Sequence, residues 1–311
     1  MFFLSFIREK VGRSNGIVQR RERGSGTLRK TNHPHLTATE RKELSVPTLY
    51  LLQQGLLKGR ILDYGCGFGF DADELKRRGY DIEGYDNYYR PDYPKGKFNI
   101  VICNFVLDVL DPRAQAEVMM EVSKLLTPDG TAFFAVSRDL DGEGFLLHPE
   151  REQYVYHCNV ILPFQSLVRN DSFELYQYKH FNRLPRTEGS KCPFCKLNPY
   201  VEVICETATC VAFFDGNPAS PGHTLIMPKR HVASYFDLTN RELEAMNLML
   251  RFVKKKIDER YRPDGYNIGV NENSAAGQSI FHTHLHVIPR YKGDVENPRG
   301  GIRRVVPTNK V

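Results

Sequence analysis

Three histidines alternate with other residues near the carboxyl end of the chain, at His282, His284 and His286. Alternate residues of a β-strand face the same side of a sheet, so the three imidazoles are expected to project together, with successive Cα atoms about 6.5–7 Å apart. The residues between them then face a core. A metal site or a phosphate-handling site explains three imidazoles on one strand face far better than chance does.

The chain of 311 residues is long enough for two domains, and its two parts differ in pattern. In the first part, strand-like and helix-like segments alternate, which predicts βαβ units and a parallel sheet. The second part has short strands and one helix with a capping box at Thr239 and Glu242, which is typical of an α+β domain. We therefore predict an α/β domain over residues 31–186 and an α+β domain over residues 187–311.

The same patterns place the individual elements. In the first domain the predicted strands are residues 60–63, 81–85, 98–103 and 131–136, and the predicted helices are residues 71–78 and 113–126. In the second domain the predicted strands are residues 211–215, 224–228, 266–271 and 281–288. Each assignment rests on hydrophobic periodicity and on the turn-forming residues that flank the segment.

Charge and composition restrict the setting of the protein. The net charge of +6 originates in residues 1–30, which hold eight basic and two acidic residues. A solvated, flexible extension is the favoured interpretation of this tail, and a salt-dependent attraction to nucleic acid is the alternative. No apolar run approaches the length that spans a bilayer, and the first residues lack the features of a signal peptide, so we expect a cytoplasmic protein without membrane contact. Seven cysteines, an odd number, argue against a disulfide framework.

The histidine segment resembles the His-φ-His-φ-His-φ-φ signature of the histidine-triad (HIT) superfamily. Residues 271–279 (Asn-Glu-Asn-Ser-Ala-Ala-Gly-Gln-Ser) resemble the phosphate loop of that family, and residues 221–231 resemble its strand with flanking histidines. The resemblance covers about residues 190–290. It implies an enzyme that acts on a nucleotide or nucleotide conjugate, in which the middle histidine, His284, attacks the α-phosphorus. Water or another acceptor then resolves the nucleotidyl-histidine, so hydrolysis and transfer both remain open.

The resemblance also implies roles for other residues by their position. His286 and His223 are expected to line the phosphate site, where they polarise the phosphate or assist the leaving group. A homodimer is a further implication of the resemblance. The residues expected to contact the phosphate or the ribose are Asp215, Asn271, Gln278 and Ser279.

A cysteine pair, Cys192-Pro-Phe-Cys195, has the two-residue gap that lets both thiolates reach one zinc ion. Redox and other structural uses of such a pair are also known, and a metal-free pair is the alternative. Zinc-bearing HIT proteins and galactose-1-phosphate uridylyltransferase are similar in this region. The resemblance implies a closed, structural zinc site whose ligands are Cys192, Cys195, His231 and His282.

A glycine-rich turn, Asp63-Tyr-Gly-Cys-Gly-Phe-Gly69, follows a predicted strand and begins a predicted helix. Such glycines let a turn pass close to a ligand, and an acidic residue at the end of the next strand can bind ribose hydroxyls. The run from residue 61 to 69 resembles motif I of class I S-adenosylmethionine methyltransferases, which have a Rossmann-like α/β fold, over about residues 40–180. The resemblance implies that S-adenosylmethionine is bound by Asp63, Gly65, Gly67 and Asp86, with Asn104 near the methyl acceptor.

The methyl acceptor is only partly restricted by the sequence. Cys103-Asn-Phe-Val106 replaces the Asp/Asn-Pro-Pro-Tyr/Phe motif of amino-methylating nucleic-acid enzymes, which argues against methylation of a base amine. We therefore expect a bifunctional enzyme, a HIT nucleotide hydrolase or transferase fused to a methyltransferase. The alternative is a protein that senses nucleotide and S-adenosylmethionine without turnover.

Overall fold

The structure is a computed structural model, and it describes residues 30–140, 142–185 and 191–305. The predicted basic tail, except for Lys30, and the predicted boundary at residues 186–187 lie outside these ranges. Within the described ranges, no helix is both long enough and apolar enough to cross a membrane.

Four α-helices and thirteen strands make up most of the regular structure of the described residues. The helices are α1 (Val46–Gln53), α2 (Phe70–Arg77), α3 (Pro112–Leu125) and α4 (Asn240–Tyr261). The strands of the first part are β1 (Ile61–Tyr64), β2 (Ile82–Tyr85), β3 (Phe98–Asn104), β4 (Leu126–Ser137), β5 (Gly144–Leu147), β6 (Tyr154–His157), β7 (Gln165–Arg169) and β8 (Phe173–Tyr178). The strands of the second part are β9 (Val203–Glu206), β10 (Cys210–Phe214), β11 (Thr224–Pro228), β12 (Gly265–Gly269) and β13 (Leu285–Arg290).

The first sheet has the strand order β2-β1-β3-β4-β8-β7 and is mixed. Its first four strands are parallel, with α2 between β1 and β2 and α3 between β3 and β4, as the alternating pattern predicts. Strands β8 and β7 add antiparallel pairs to β4, and β5 and β6 form a separate hairpin. Every glycine-turn residue therefore lies at the carboxyl edge of the parallel strands, where ligands bind in such sheets.

The second sheet is antiparallel, with the order β12-β13-β11-β10-β9. Helix α4 packs on one face of it, and Met249, Val253 and Ile257 are completely buried there. The capping box predicted at Thr239 and Glu242 is present, with both reciprocal hydrogen bonds formed. The sheet and helix α4 thus share one apolar core.

The predicted strand over residues 281–288 is partly wrong, because β13 begins at Leu285. His282 and His284 precede the strand, and only His286 is within it. The register that pairs Leu285 with Ile226 would place residue 283 opposite Pro228, which has no N–H for the ladder. The carbonyl of Pro228 accepts a hydrogen bond from His282 Nε2 instead, at 2.8 Å. This side-chain bond holds the segment beside the sheet without a strand pairing.

The two parts meet in a buried contact between α3 and β9. The backbone N–H of Glu206 donates to Ser123 Oγ at 2.9 Å. The Glu206 carboxylate lies 2.8 Å from Lys229 Nζ and 3.1 Å from His180 Nδ1. Burial alone would raise the pKa of Glu206, but the charge of Lys229 and the His180 hydrogen bond lower it to about 2. An ionised, paired carboxylate therefore links the parts at this contact.

Candidate functional site

The sulfur and nitrogen atoms of Cys192, Cys195, His231 and His282 converge, with all four lying within 4.8 Å of one another. Cys195 Sγ is 3.3 Å from His231 Nδ1 and 3.6 Å from His282 Nδ1, and Cys192 Sγ is 3.7 Å from His282 Nδ1. The structure thus brings together the four residues that the sequence comparison with zinc-bearing proteins selects.

The donor set and its spacing fit a tetrahedral zinc ion. Zinc bond lengths of about 2.3 Å to sulfur and about 2.1 Å to nitrogen place such ligand atoms about 3.6 Å apart at a tetrahedral angle. His282 donates from Nε2 to the carbonyl of Pro228, so the neutral ring has its lone pair on Nδ1, the atom that faces the cysteines. The backbone therefore orients this imidazole so that the Nδ1 lone pair faces Cys192 and Cys195.

His284 has the opposite arrangement of its ring. Its Nδ1 lies 2.8 Å from the backbone carbonyl of His282, which can only accept, so Nδ1 carries a proton and the lone pair of the neutral ring is on Nε2. The residue is 8% exposed, and the ring of Phe194 packs edge-on against it with centroids 5.0 Å apart. A neutral, oriented imidazole with a free Nε2 is a nucleophile. Sequence reasoning missed Phe194, although it lies inside the cysteine motif.

A second hydrogen-bonded chain orients His286. The Ala219 N–H donates to His223 Nδ1 at 3.1 Å, so His223 donates from Nε2 to His286 Nδ1 at 3.0 Å. The remaining proton of neutral His286 is then on Nε2, which is buried and has no partner among the described residues. The rings of His284 and His286 have centroids 4.8 Å apart. One ring thus offers a lone pair and its neighbour offers a donor, as attack on a phosphate requires.

Burial favours the neutral forms of His286 and His223. It lowers the pKa of His286 to about 4, with smaller contributions from the neighbouring His284 and His223. Burial also lowers the pKa of His223, while Asp215, whose carboxylate is 3.4 Å from His223 Nδ1, opposes the shift. Asp215 therefore lies against His223, a contact that its predicted role at the ribose or phosphate does not include.

The loop residues predicted to contact the nucleotide differ in their exposure and in their hydrogen bonds. The Gln278 side chain is buried and holds the loop itself, because its Oε1 accepts from Asn273 N and its Nε2 donates to Ala233 O, both at 2.8 Å. Its predicted role as a donor to phosphate is not supported by these bonds. Ser279 is exposed and lines a groove beside the cysteine pair, and Asn271 is exposed.

The five residues predicted to bind S-adenosylmethionine line one pocket of about 250 Å³: Asp63, Gly65, Gly67, Asp86 and Asn104. Gly65 has a φ of 79°, and a Cβ there would lie 2.4 Å from Val106 Cγ2, so the turn requires glycine. The Asp86 carboxylate accepts from the N–H groups of Gly67, Tyr88 and Tyr89 at 2.9–3.2 Å. The hydrogen bond from Gly67 thereby connects the glycine turn to the residue that follows β2.

One buried polar atom of this pocket lacks a partner that a ligand can supply. Asn104 donates from Nδ2 to Thr48 Oγ1 at 2.9 Å, while its Oδ1 is buried without a partner among the described residues. Burial, and after it the charge of Asp71, raises the pKa of Asp63 to about 8. Asp63 therefore adds little negative charge near pH 7, but the carboxyls of Asp71 and Asp86 share the pocket with one arginine, Arg41, so the lining suits a cationic ligand better than an anionic one. Sequence reasoning did not identify residues 34–41, which cover one side of the pocket.

The fold thus places a cluster of histidines in one domain and a glycine-turn pocket in the other. Comparison with protein families agrees, since a methyltransferase domain matches residues 37–188 and a HIT domain matches residues 197–293. The chain belongs to the HIT family, and its HIT domain is fused to a methyltransferase domain.

Individual relatives support this assignment. A HIT-like protein of Methanocaldococcus jannaschii is 38% identical over 125 residues, which are 39% of this chain and 95% of that protein. An adenylylsulfatase of Arabidopsis thaliana is 36% identical over 112 residues, 35% of this chain and 56% of that protein. A bis(5'-adenosyl)-triphosphatase of Dictyostelium discoideum is 34% identical over 96 residues, 31% of this chain and 64% of that protein.

Proposed function

We propose that the chain is a bifunctional enzyme that cleaves nucleotide conjugates at the α-phosphate and also transfers methyl groups from S-adenosylmethionine. The observation that carries the first activity is the hydrogen bond from His284 Nδ1 to the His282 carbonyl. It leaves the His284 Nε2 lone pair available beside a donor, Nε2–H of His286, that has no partner among the described residues. A protein that only bound nucleotide would not need this arrangement.

The reaction on this proposal has two displacements. The His284 Nε2 lone pair attacks the α-phosphorus, the bond from phosphorus to the leaving-group oxygen breaks, and a nucleotidyl-histidine forms. His286 donates from Nε2 to a non-bridging phosphate oxygen, whose charge it stabilises. Water then attacks phosphorus and releases one proton to solvent, the phosphorus–nitrogen bond breaks, and its electron pair returns to His284 Nε2. An alcohol or phosphate acceptor in place of water would give transfer.

The named relatives favour hydrolysis over transfer. The Arabidopsis protein is an adenylylsulfatase and the Dictyostelium protein is a bis(5'-adenosyl)-triphosphatase, and the alignments span 56% and 64% of those two proteins. Both names describe cleavage of an adenylyl group from an acidic leaving group. We therefore propose an adenylyl conjugate, either a sulfate or a polyphosphate, as the first substrate class to test.

Zinc completes the histidine domain on this proposal. Cys192, Cys195, His231 and His282 would hold the ion, which would serve as a cross-link and not as a reactant because four protein ligands leave no open position. The ion would join the cysteine loop to the segment that carries His284, and it would bring Phe194 against that histidine. Loss of the metal should therefore act first on stability.

The methyltransferase domain is proposed to be of the class I, Rossmann-like kind, next to an α+β HIT domain. S-adenosylmethionine would supply an electrophilic methyl group. The residues of the chain bind and orient it: the glycine turn allows close approach, and the acidic groups of the pocket favour its sulfonium and ammonium charges. Asn104 Oδ1 offers an acceptor at the buried end. This charge pattern disfavours a dinucleotide, whose pyrophosphate is anionic.

The experiment that tests the histidine mechanism is covalent trapping. Wild-type protein and the His284→Ala variant are incubated with adenylyl sulfate and diadenosine triphosphate labelled at the α-phosphate, then quenched in base, which preserves phosphoramidates. We expect label on the wild-type chain only. A chain that remains unlabelled, together with unchanged substrate, would reject the mechanism and favour the binding-only alternative.

The methyltransferase proposal is tested separately by calorimetric titration with S-adenosylmethionine. Gly65→Ala should weaken binding by at least about tenfold, because its Cβ would clash with Val106 and the turn needs a positive φ. Gly79→Ala is the matched control, since Gly79 also has a positive φ, of 92°, but has open space around it and does not line the pocket. Equal affinities for the two variants, or no binding to wild type, would contradict the assignment.

A further inference from the structure

A cavity of about 320 Å³ lies where the methyltransferase part meets the HIT part, and neither proposed activity uses it. It is bounded by the first half of α3, the first half of α4, the turn at residues 207–209 between β9 and β10, and Leu162. None of its lining residues lines the glycine-turn pocket or belongs to either histidine cluster. Its volume is within the range of about 300–1,000 Å³ that small-molecule sites occupy, and such sites occur preferentially between domains.

The inner wall of the cavity is apolar. Met119 projects from α3, Ala245 and Leu248 project from α4, and Leu162 and Ala208 come from the connecting segments. Met119, Leu162, Ala208 and Ala245 are 5–7% exposed, so the wall continues the buried surface of both domains. A ligand with an apolar body would replace water along this wall and gain burial energy.

The mouth of the cavity is positively charged. Arg113, Arg241 and Arg251 line it together with one acidic residue, Glu244. Arg113 pairs with Glu117, whereas Arg241 and Arg251 form no ion pair within the described part of the chain. Arg241 is also in the first turn of α4, where the helix dipole adds to the attraction for an anion. The cavity thus combines an apolar wall with the guanidinium groups of Arg241 and Arg251, which form no ion pair with the described residues.

We propose that this cavity is a third ligand site, which binds a small amphipathic anion whose planar or branched apolar body fills the cavity and whose carboxylate, sulfonate or phosphate faces Arg241 and Arg251. The apolar wall favours the apolar body, and Arg241 and Arg251 favour the negative charge. Because α3 and α4 come from different domains, such a ligand contacts both domains at once and stabilises their contact.

The proposal is tested with two fluorescent probes on the full chain. 1-Anilinonaphthalene-8-sulfonate has an apolar body and one anionic group, and N-phenyl-1-naphthylamine has the same body without the charge. Titrations are made with S-adenosylmethionine and adenosine monophosphate in excess, so that the other two pockets are occupied. We expect saturable binding of the sulfonate with one site per chain and weaker binding of the neutral probe.

Two pairs of variants assign the binding to the cavity. Ala116→Phe fills the cavity from α3 and should weaken both probes by at least about tenfold, whereas Ala114→Phe, on the same helix but outside the lining, should weaken neither. Replacing Arg241 and Arg251 together by glutamine should weaken the sulfonate about tenfold and leave the neutral probe within about twofold. Lys255→Gln, an exposed charge on α4 away from the cavity, is the control.

Three outcomes would overturn the proposal. The first is an absence of saturable sulfonate binding to the wild-type chain. The second is sulfonate binding that Ala116→Phe leaves unchanged, since the probe would then be bound elsewhere. The third is an equal loss of both probes in the double arginine variant, which would show that the site does not select an anion.

Discussion

His282 and His284 are two residues apart, but their imidazole rings make different hydrogen bonds. His282 donates from Nε2 to the carbonyl of Pro228 and turns Nδ1 toward two cysteines. His284 donates from Nδ1 to the carbonyl of His282 and keeps Nε2 free. In each ring a backbone carbonyl decides which nitrogen has the lone pair. Backbone acceptors, and not the identity of the side chain, therefore separate His282, in the cluster with Cys192, Cys195 and His231, from His284, which lies in the reactive cluster with His286 and His223.

The largest expected effect tests the reactive side of this comparison. His284→Ala should lower kcat for an adenylyl conjugate by at least about 10³-fold, because it removes the lone pair that attacks phosphorus on this proposal. Zinc content, measured by atomic absorption, should remain that of the wild type, since His284 is not among the converging ligands. Turnover within tenfold of the wild type would show that the nucleophile has been misassigned.

The next effect tests the metal side. His282→Ala should lose zinc and lower Tm by more than about 10 °C, because removing one ligand releases the cross-link that holds the cysteine loop. Its backbone carbonyl is retained, so His284 keeps its orientation, and kcat of the remaining folded protein at low temperature should stay within about tenfold. A variant that keeps zinc, or that keeps Tm but loses all turnover, would contradict the division of tasks.

The extent to which the sequence predicted these clusters depends on how local each determinant is. Spacing indicated the pair Cys192 and Cys195, and the resemblance to zinc-bearing HIT proteins added His231 and His282; the structure brings the ligand atoms of all four together. The strand prediction for the segment failed at its start, because the effect of Pro228 comes from the neighbouring strand β11. A hydrophobic pattern cannot show which residue of another strand lies opposite.

The contacts of the reactive cluster were harder to predict from the sequence. Phe194 contacts His284, which is far away in the sequence, and Asp215 contacts His223 from the other end of the loop between β10 and β11, so only the fold brings each pair together. The sequence likewise could not show the hydrogen bonds that Gln278 makes within the loop. A glutamine at this position can contact either a ligand or the loop itself, and the sequence does not distinguish the two. In the first domain the parallel strands followed from alternation, but the antiparallel addition of β8 and β7 did not.

A smaller effect is expected at His223, which acts on the reaction through His286. His223→Ala removes the hydrogen bond to His286 Nδ1, so His286 can adopt the other tautomer and no longer presents a fixed donor. We expect kcat to fall about tenfold with KM and zinc content nearly unchanged. His223→Gln, which can still donate to Nδ1, should recover part of the loss. Equal loss in the alanine and glutamine variants would indicate a structural role instead.

The smallest effect is the pH dependence of stability that the reactive cluster contributes. The pKa of His286 is lowered in the folded chain to about 4 from 6.5, first by burial and then by His284 and His223. Between these two values the unfolded chain binds more protons than the folded chain, so stability is complete above pH 6.5 and decreases as the pH falls toward 4. His286→Asn removes this titration while leaving the four converging ligands in place. The Tm difference between wild type and this variant should therefore narrow by a few degrees from pH 7.5 to pH 4.5, as thermal unfolding monitored by circular dichroism would measure. A constant difference would mean that His286 is not held neutral by burial, and the contrast between the two histidine clusters would then rest on hydrogen bonding alone.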